Sequence, residues 1–276
     1  MLTRMLVGID GSDGAANALR WAGAFSKLTG AELVVATATG ADAGDEMRPA
    51  AASALAAWCG EVADAAPGMT QRVLDGDPRA AIPAAAAAED AGLVVVGTSG
   101  LGWFPAVHLG HVAHYLALHA ARPVAVVPPS THEPVSSRCL VVGVDGSAGS
   151  AHALAWAGDV ARATGGSVLA LHTRVPGVSR LPAGAAREND PDDAAPRWVQ
   201  PLVDGGIPVS VDVVDGHPAS ALAARAASDG ACLVVVGARG AGGLHDLHIG
   251  SVALRLLHHA QLPVVIVPDG RTGSAA

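Results

Sequence analysis

The amino-acid sequence repeats itself, because the same short blocks return after 135 to 140 residues. Leu-Val-Gly-Ile-Asp at 6–10 returns as Val-Val-Gly-Val-Asp at 141–145, and Gly-Ser follows each copy. Leu-Val-Val-Val-Gly at 93–97 returns unchanged at 233–237. A chain of 276 residues is long enough for two domains, each with its own core. We therefore predict two tandem domains at 1–129 and 138–270, joined by a linker at 130–137.

Each repeat alternates short apolar runs, typical of buried strands, with alanine-rich segments typical of helices. Half of the residues are apolar and only 3% are aromatic, so Ala, Val, Leu and Ile must form the core. Alternation of strand and helix indicates parallel strands joined by right-handed crossovers. The predicted fold class is α/β, with two open, doubly wound, five-stranded parallel sheets. The first strands are predicted to end at Asp10 and Asp145. The later strands are predicted at 33–38, 70–74, 93–97 and 123–127 in repeat 1, and at 168–172, 209–214, 233–237 and 262–267 in repeat 2. The loop over 174–195, with its glycines and prolines, is predicted to be irregular.

A glycine loop, defined here as residues 237–250, follows the fourth strand of the second repeat. Its glycines bring backbone N–H groups close to an anion, because they carry no Cβ. Ser251 is predicted to cap a helix over 252–260, so the first N–H groups from Val252 onward favour a negative group. The loop lacks the lysine that a P-loop needs, and its one cation is Arg239. The residues expected to surround a phosphate are Gly237, Arg239, Gly240, Gly242, Gly243, Gly250, Ser251 and Val252.

The spacing of this loop, Gly-x2-Gly-x9-Gly-Ser, resembles the nucleotide motif of the universal stress protein family. The resemblance extends over almost the whole chain and implies the strand order 3-2-1-4-5 in each repeat. With that order, the ligand site lies between the carboxyl ends of strands 1 and 4. The family implies that Asp145 meets the adenine beside Gly146 and Ser147. It further implies a base pocket completed by backbone near His172 and Thr173, and a Gly-x-Pro turn that begins at Gly216.

Repeat 1 carries the matching residues Asp10, Gly97, Gly100 and Gly110, but it departs from the motif elsewhere. His111 stands where repeat 2 has Ser251, and Ser99 stands where repeat 2 has Arg239. We therefore expect repeat 2 to bind nucleotide well and repeat 1 weakly or not at all. Trp103, Pro105 and Ala106 stand where repeat 2 has Gly243, His245 and Asp246. The tryptophan adds bulk to the loop, and the proline fixes φ.

Purely structural roles are open for the same residues. The glycines also suit a tight turn between a strand and a helix that binds nothing. Asp10 and Asp145 also suit the task of capping a helix or holding a turn, and such a role is compatible with ligand binding.

Composition and motifs exclude several other functions. A net charge of −8 without a basic run argues against nucleic acid or an anionic membrane as partner. The N-terminus runs directly into a strand, and no apolar stretch is long enough for a membrane span, so we expect a cytoplasmic protein. The cysteines are isolated in sequence, and the spaced histidines near 108–114 suit helix ends better than a metal. No catalytic triad or metal-protease motif is present.

These observations lead to the hypothesis of an ATP-binding regulatory protein of the stress response, whose nucleotide occupancy acts as a conformational or assembly switch. Magnesium on the triphosphate would be held by Asp145 and Asp246. The alternatives are a slow ATPase and an interaction module without nucleotide. The strands at 123–127 and 262–267 carry no charges, so we expect the two repeats to pair through them, with a homodimer as a further possibility.

Overall fold

The structure, a computed structural model, describes residues 2–40, 46–61, 68–98, 100, 109–131, 137–174, 191–241 and 249–269. The chain divides into two compact units, the second of which begins at Ser137. Each unit alternates strands and helices, as the sequence predicts.

The first unit is a parallel sheet with helices between its strands. Its hydrogen-bonded strand order is β3-β2-β1-β4-β5, and every pair is parallel. The elements are β1 (Arg4–Gly8), α1 (Asp13–Thr29), β2 (Glu32–Ala38), α2 (Met47–Glu61), β3 (Thr70–Leu74), α3 (Pro78–Ala88), β4 (Leu93–Gly97), α4 (His111–His119) and β5 (Val124–Val127).

The second unit has the same arrangement, with the order β8-β7-β6-β9-β10 and parallel pairs throughout. The chain moves outward from β6 to β8 and then returns to the other side of β6, so the switch point lies between β6 and β9. The elements are β6 (Cys139–Gly143), α5 (Ala148–Thr164), β7 (Ser167–Arg174), α6 (Pro191–Trp198), α7 (Gln200–Asp204), β8 (Val209–Asp215), α8 (Pro218–Ser228), β9 (Leu233–Gly237), α9 (Ser251–His259) and β10 (Val264–Val267). The predicted α/β fold class is confirmed.

The central strands form the core, because helices cover both faces of a parallel sheet. In β4 and β9 the four apolar residues before the final glycine are all buried. The edge strand β3 differs, since Thr70, Gln71 and Arg72 are exposed. The valine runs predicted from the sequence are therefore the strands that lie between two neighbours.

Helix boundaries follow the side chains and glycines at each end. Ser12 and Ser147 cap α1 and α5 by accepting hydrogen bonds from backbone N–H groups three residues later, both at 3.2 Å. Gly30 and Gly165 end these two helices in the left-handed region, with φ of 72° and 64°. These glycines end the helices, and the next strand begins two residues later in each unit.

Two predicted boundaries are wrong. The first strand of each repeat ends at Gly8 or Gly143, two residues before the aspartate that was expected to end it. The reason is a turn in which the aspartate carboxylate accepts a backbone hydrogen bond from the serine that follows. The loop predicted as irregular over 174–195 is helical from Pro191 onward. Residues 175–190 of that loop lie outside the described residues.

One glycine pair in each unit brings a helix unusually close to the sheet. A Cβ built on Gly97 would lie 2.6 Å from the carbonyl oxygen of Gly14 in α1. A Cβ built on Gly237 would lie 2.5 Å from the carbonyl carbon of Gly149 in α5. Helix and strand backbones therefore meet directly at these points, and only glycine leaves room for the contact.

Two cysteines that are far apart in sequence are neighbours in space. Cys232 donates its thiol hydrogen to the carbonyl oxygen of Cys139 over 3.3 Å, at the amino ends of β9 and β6. Burial raises the pKa of Cys232 to about 12, and it also raises the pKa values of Cys139 and Cys59. Cysteines that are isolated in sequence thus include one pair that is close in space, and the raised pKa values agree with unreactive thiols.

Candidate functional site

The predicted site residues of the second unit gather at one edge of its sheet, because parallel strands present their carboxyl ends together. Asp145 follows β6, His172 and Thr173 lie near the end of β7, and Gly237 ends β9. Gly216 follows the edge strand β8 and is therefore three strand spacings, roughly 14 Å, from β9. The glycine loop and the Asp145 turn are thus neighbours, whereas the Gly216 turn stands apart from the loop.

Asp145 connects the turn after β6 to the glycine loop. Its Oδ1 accepts hydrogen bonds from the backbone N–H of Ser147 at 3.0 Å and from the Ser147 hydroxyl at 2.5 Å. Its Oδ2 accepts one from the backbone N–H of Ala241 at 2.7 Å. Burial by itself would raise the pKa of Asp145, but these hydrogen bonds outweigh it and hold the pKa below its ordinary value. Asp145 therefore stays ionised and holds both loops together.

Gly240 and Gly250 have separate reasons for being glycine. A Cβ on Gly240 would collide with the Asp145 carboxylate, so this glycine allows the contact between the two loops. Gly250 donates its N–H to the carbonyl oxygen of Ala238 at 2.7 Å and thereby closes the glycine loop. Gly242 and Gly243 lie outside the described residues.

Gly250, and not Ser251, is the N-cap of α9. Gly250 has φ −75° and ψ 156°, and Ser251 is the first helical residue, so the predicted cap is wrong by one position. The hydrogen bond from Gly250 to Ala238 fixes the backbone just before the helix and sets where it starts. Since glycine has no side chain to accept a hydrogen bond, no side chain caps the first turn, in which Val252 is the second residue.

Arg239 is paired with Asp269, a carboxylate that lies outside the glycine loop. Its Nε donates to Oδ2 of Asp269 at 2.5 Å, and both side chains are largely buried. The expectation of Arg239 as the cation of the phosphate loop is thus incomplete, because Asp269 offsets its charge. The positions that match this pair in repeat 1 are Ser99 and Pro129, so repeat 1 has neither the arginine nor the aspartate.

The first unit preserves the same backbone framework where it is described. Asp10 Oδ1 accepts from the N–H of Ser12 at 3.0 Å, and a Cβ on Gly100 would collide with the Asp10 carboxylate. Gly110 donates to the carbonyl oxygen of Thr98 at 2.6 Å and caps α4 without a side-chain hydrogen bond. The differences expected at Ser99, Trp103, Pro105 and Ala106 fall outside the described residues.

Two tryptophans contact the turns that carry Asp10 and Asp145, and the sequence alone did not identify them. Trp198, at the end of α6, lies against Gly146, and Trp58 of α2 lies against Gly11 in the first unit. The two are 140 residues apart, which is the offset of the Leu-Val-Val-Val-Gly blocks. This shared offset could have identified the tryptophans as equivalent residues of the two repeats, but the helix sequences around them differ too much for the match to be evident.

Neither a metal cluster nor a membrane span occurs in the part of the chain that the structure describes. No group of three or more His, Cys, Asp or Glu side chains is placed there to hold a metal ion. Asp246, expected to share magnesium with Asp145, and His108 lie outside that part. None of the helices described is both long enough and apolar enough to cross a membrane.

Replacing Asp145 with asparagine is expected to destabilise the second unit. Because the pKa of Asp145 is lowered on folding, the ionised form stabilises the fold above the unfolded-chain pKa of about 3.9. This stabilisation is lost as the pH falls through the folded-state pKa. We expect Asp145→Asn to lower the free energy of unfolding at pH 7 by about 1 to 3 kcal/mol and to reduce its fall in acid.

Urea unfolding at pH 7 and pH 3 measures both effects. Asp159→Asn is the matched control, because Asp159 forms an exposed ion pair with Arg162 on α5, and such pairs contribute little. Equal loss of stability in the two variants at pH 7 would contradict the role assigned to Asp145.

Comparisons with known proteins agree with this architecture. The model of the universal stress protein family matches residues 1–128 and 137–268. A universal stress protein from Mycobacterium bovis is 35% identical over 191 residues, which cover 64% of this chain and 62% of that relative. Another from Mycobacterium tuberculosis is 29% identical over 292 residues, covering 97% of each chain. A universal stress protein structure from Archaeoglobus fulgidus has the same fold at 22% identity, with a TM-score of 0.75 over 98% of this chain and 100% of that one. The chain therefore belongs to the universal stress protein family.

Proposed function

We propose that the protein binds ATP in its second unit and acts as a regulator, with nucleotide occupancy changing its conformation or its association. The observation that carries the proposal is the start of α9. This helix begins beside the glycine loop at the switch point of the sheet, with a glycine at its N-cap and no side-chain hydrogen bond to the N–H groups of its first turn.

The first turn of α9 supplies the donors for phosphate. Helix geometry leaves the N–H groups of Ser251, Val252 and Ala253 without partners inside the helix. The aligned peptide dipoles add a partial positive charge at the same place. An anion bound there would replace the water that otherwise meets these groups.

Asp145 suits the nucleoside and not the phosphates, because its charge repels an anion. A carboxylate accepts several hydrogen bonds, and this one accepts from Ser147 N–H, Ser147 O–H and Ala241 N–H, with the Ser150 side chain also acting on it. An exocyclic amine or a ribose hydroxyl is a further donor of the kind that a carboxylate accepts. The structural role of Asp145 and the proposed binding role are therefore compatible.

The charge balance favours ATP bound together with Mg²⁺. Arg239 is offset by Asp269, and Asp145 is anionic, so these side chains of the described site provide no net positive charge for a triphosphate. Magnesium neutralises phosphate oxygens and is usually held by one or two carboxylates together with the phosphates. We expect affinity for ATP to be higher with magnesium than with excess chelator.

Heat extraction of the purified protein, followed by chromatography, tests whether nucleotide is bound at isolation. Calorimetry of the emptied protein with ATP, with and without Mg²⁺, then gives affinity and stoichiometry. A solved universal stress protein that is 26% identical over 45% of this chain is in complex with cAMP, and cAMP serves as a second probe. Absence of any nucleotide binding would refute the proposal. Steady release of phosphate from ATP, in proportion to protein concentration and time, would favour a slow ATPase over a regulator.

The remaining expectations concern location and assembly. Cytoplasmic location, pairing of the two repeats through their last strands and a homodimer stay predictions.

A further inference from the structure

Trp198 lies on the turn that carries Asp145. Gly146 has φ 77°, and a Cβ built on it would lie 2.7 Å from Cζ2 and 3.3 Å from Nε1 of the Trp198 indole. The ring therefore rests directly on the backbone of the residue next to Asp145. Trp198 is partly exposed, so its indole is not wholly taken up by the core.

His172 holds the indole from the side. Its Nδ1 donates to the carbonyl oxygen of Val144 at 2.8 Å, which fixes the orientation of a buried imidazole. The imidazole and indole centroids are 5.4 Å apart with the rings at 74°, an edge-to-face contact. Two rigid neighbours thus keep an aromatic surface in place beside the candidate nucleoside site before any ligand binds.

The first unit repeats half of this arrangement. Trp58 contacts Gly11, which has φ 84°, in the turn that carries Asp10. The strand position that matches His172 is Thr37, which has no ring to support the indole. The two helices that carry the tryptophans differ in sequence, so the recurrence of an indole at this place is a separate observation for each unit.

We propose that Trp198 is the base-stacking residue of the second unit and gives it a preference for nucleotides over phosphate alone. This inference rests on the proposed function. Bases stack on indole rings through their flat faces, and an indole already fixed by Gly146 and His172 loses little freedom when a base binds. The base would then lie within reach of Asp145, while the phosphates extend toward α9.

The test compares ATP with tripolyphosphate, which has no base. Calorimetry with Mg²⁺ is run on the full chain and on Trp198→Ala, Trp198→Phe and Trp58→Ala. We expect Trp198→Ala to weaken ATP binding by roughly five- to a hundredfold and to leave tripolyphosphate affinity unchanged. Trp198→Phe should restore most of the ATP affinity, and Trp58→Ala should leave the strong site unchanged.

Tryptophan fluorescence gives an independent readout that does not depend on the folding of the alanine variant. ATP should quench the emission of the parent protein, and Trp198→Phe should lose that quenching while still binding ATP. Unchanged quenching in Trp198→Phe, or an equal loss of ATP and tripolyphosphate affinity in Trp198→Ala, would overturn the stacking role. A parent protein that binds neither probe would instead overturn the proposed function itself.

Discussion

The Gly250→Val variant is expected to lose nucleotide binding in the second unit and to remain folded. A Cβ at Gly250 would lie 3.4 Å from the nearest atom, the carbonyl oxygen of Ala238, and φ of −75° is open to any residue. The fold therefore accepts the side chain at a cost of about 1 kcal/mol for a poor N-cap. The valine methyl groups would occupy the space where a phosphate meets the first turn of α9, and we expect affinity to fall by about a hundredfold or more.

Gly110→Val is the matched control, because Gly110 caps α4 in the first unit as Gly250 caps α9. Calorimetry with ATP and Mg²⁺ should find one strong site per chain, which Gly250→Val removes and Gly110→Val leaves nearly unchanged. The expected inequality rests on His111, the first residue of α4, which stands where the second unit has the smaller Ser251. Two sites of similar affinity would contradict it.

Gly237→Ala is expected to destabilise the second unit strongly, although it adds only one methyl group. The new Cβ would lie 2.5 to 2.6 Å from the carbonyl group of Gly149, and neither backbone can yield without separating α5 from β9. We expect a loss of about 3 kcal/mol, which corresponds to a fall of roughly 10 °C in the midpoint of a unit of this size. Calorimetric unfolding of the full chain measures the shift of the affected transition.

Gly143→Ala provides the control for that substitution. It adds the same methyl group at the end of the neighbouring strand, but its nearest atoms are methyl groups of Leu222 and Val236 at 3.0 Å. Side-chain ends move by a few tenths of an ångström, so the expected cost is below about 1 kcal/mol. Similar midpoints for the two variants would show that helix α5 moves more easily than the contact implies.

The sequence was sufficient for the parts of the fold that depend on local pattern. Uninterrupted valine runs located β4 and β9. Boundaries set by individual hydrogen bonds in the loops, and not by the residue pattern of a strand or helix, were not accessible in the same way. The end of β6 depends on a turn held by Asp145, and the start of α9 depends on the bond from Gly250 to Ala238.

The candidate site was predictable in its backbone and less so in its side chains. Glycine spacing indicated a loop beside a helix start, because both features are local. The partner of Arg239 was not identified, since Asp269 is 30 residues away in sequence and lies beside it through the register of β9 and β10, which pairs Gly237 with Val267. Trp198 was missed because the helix sequences around it and around Trp58 differ, although the two residues are 140 positions apart.

The pair formed by Cys139 and Cys232 affects how this protein can be labelled. Burial raises the pKa of Cys232 to about 12, so its thiol is almost wholly protonated at pH 8, and thiolates are the species that react with maleimides. The pKa values of Cys139 and Cys59 are raised as well. A new surface cysteine with an ordinary pKa would therefore react far faster than Cys232. Fluorophores could then be attached at that cysteine for distance measurements, while Cys232 keeps its bond to the carbonyl of Cys139.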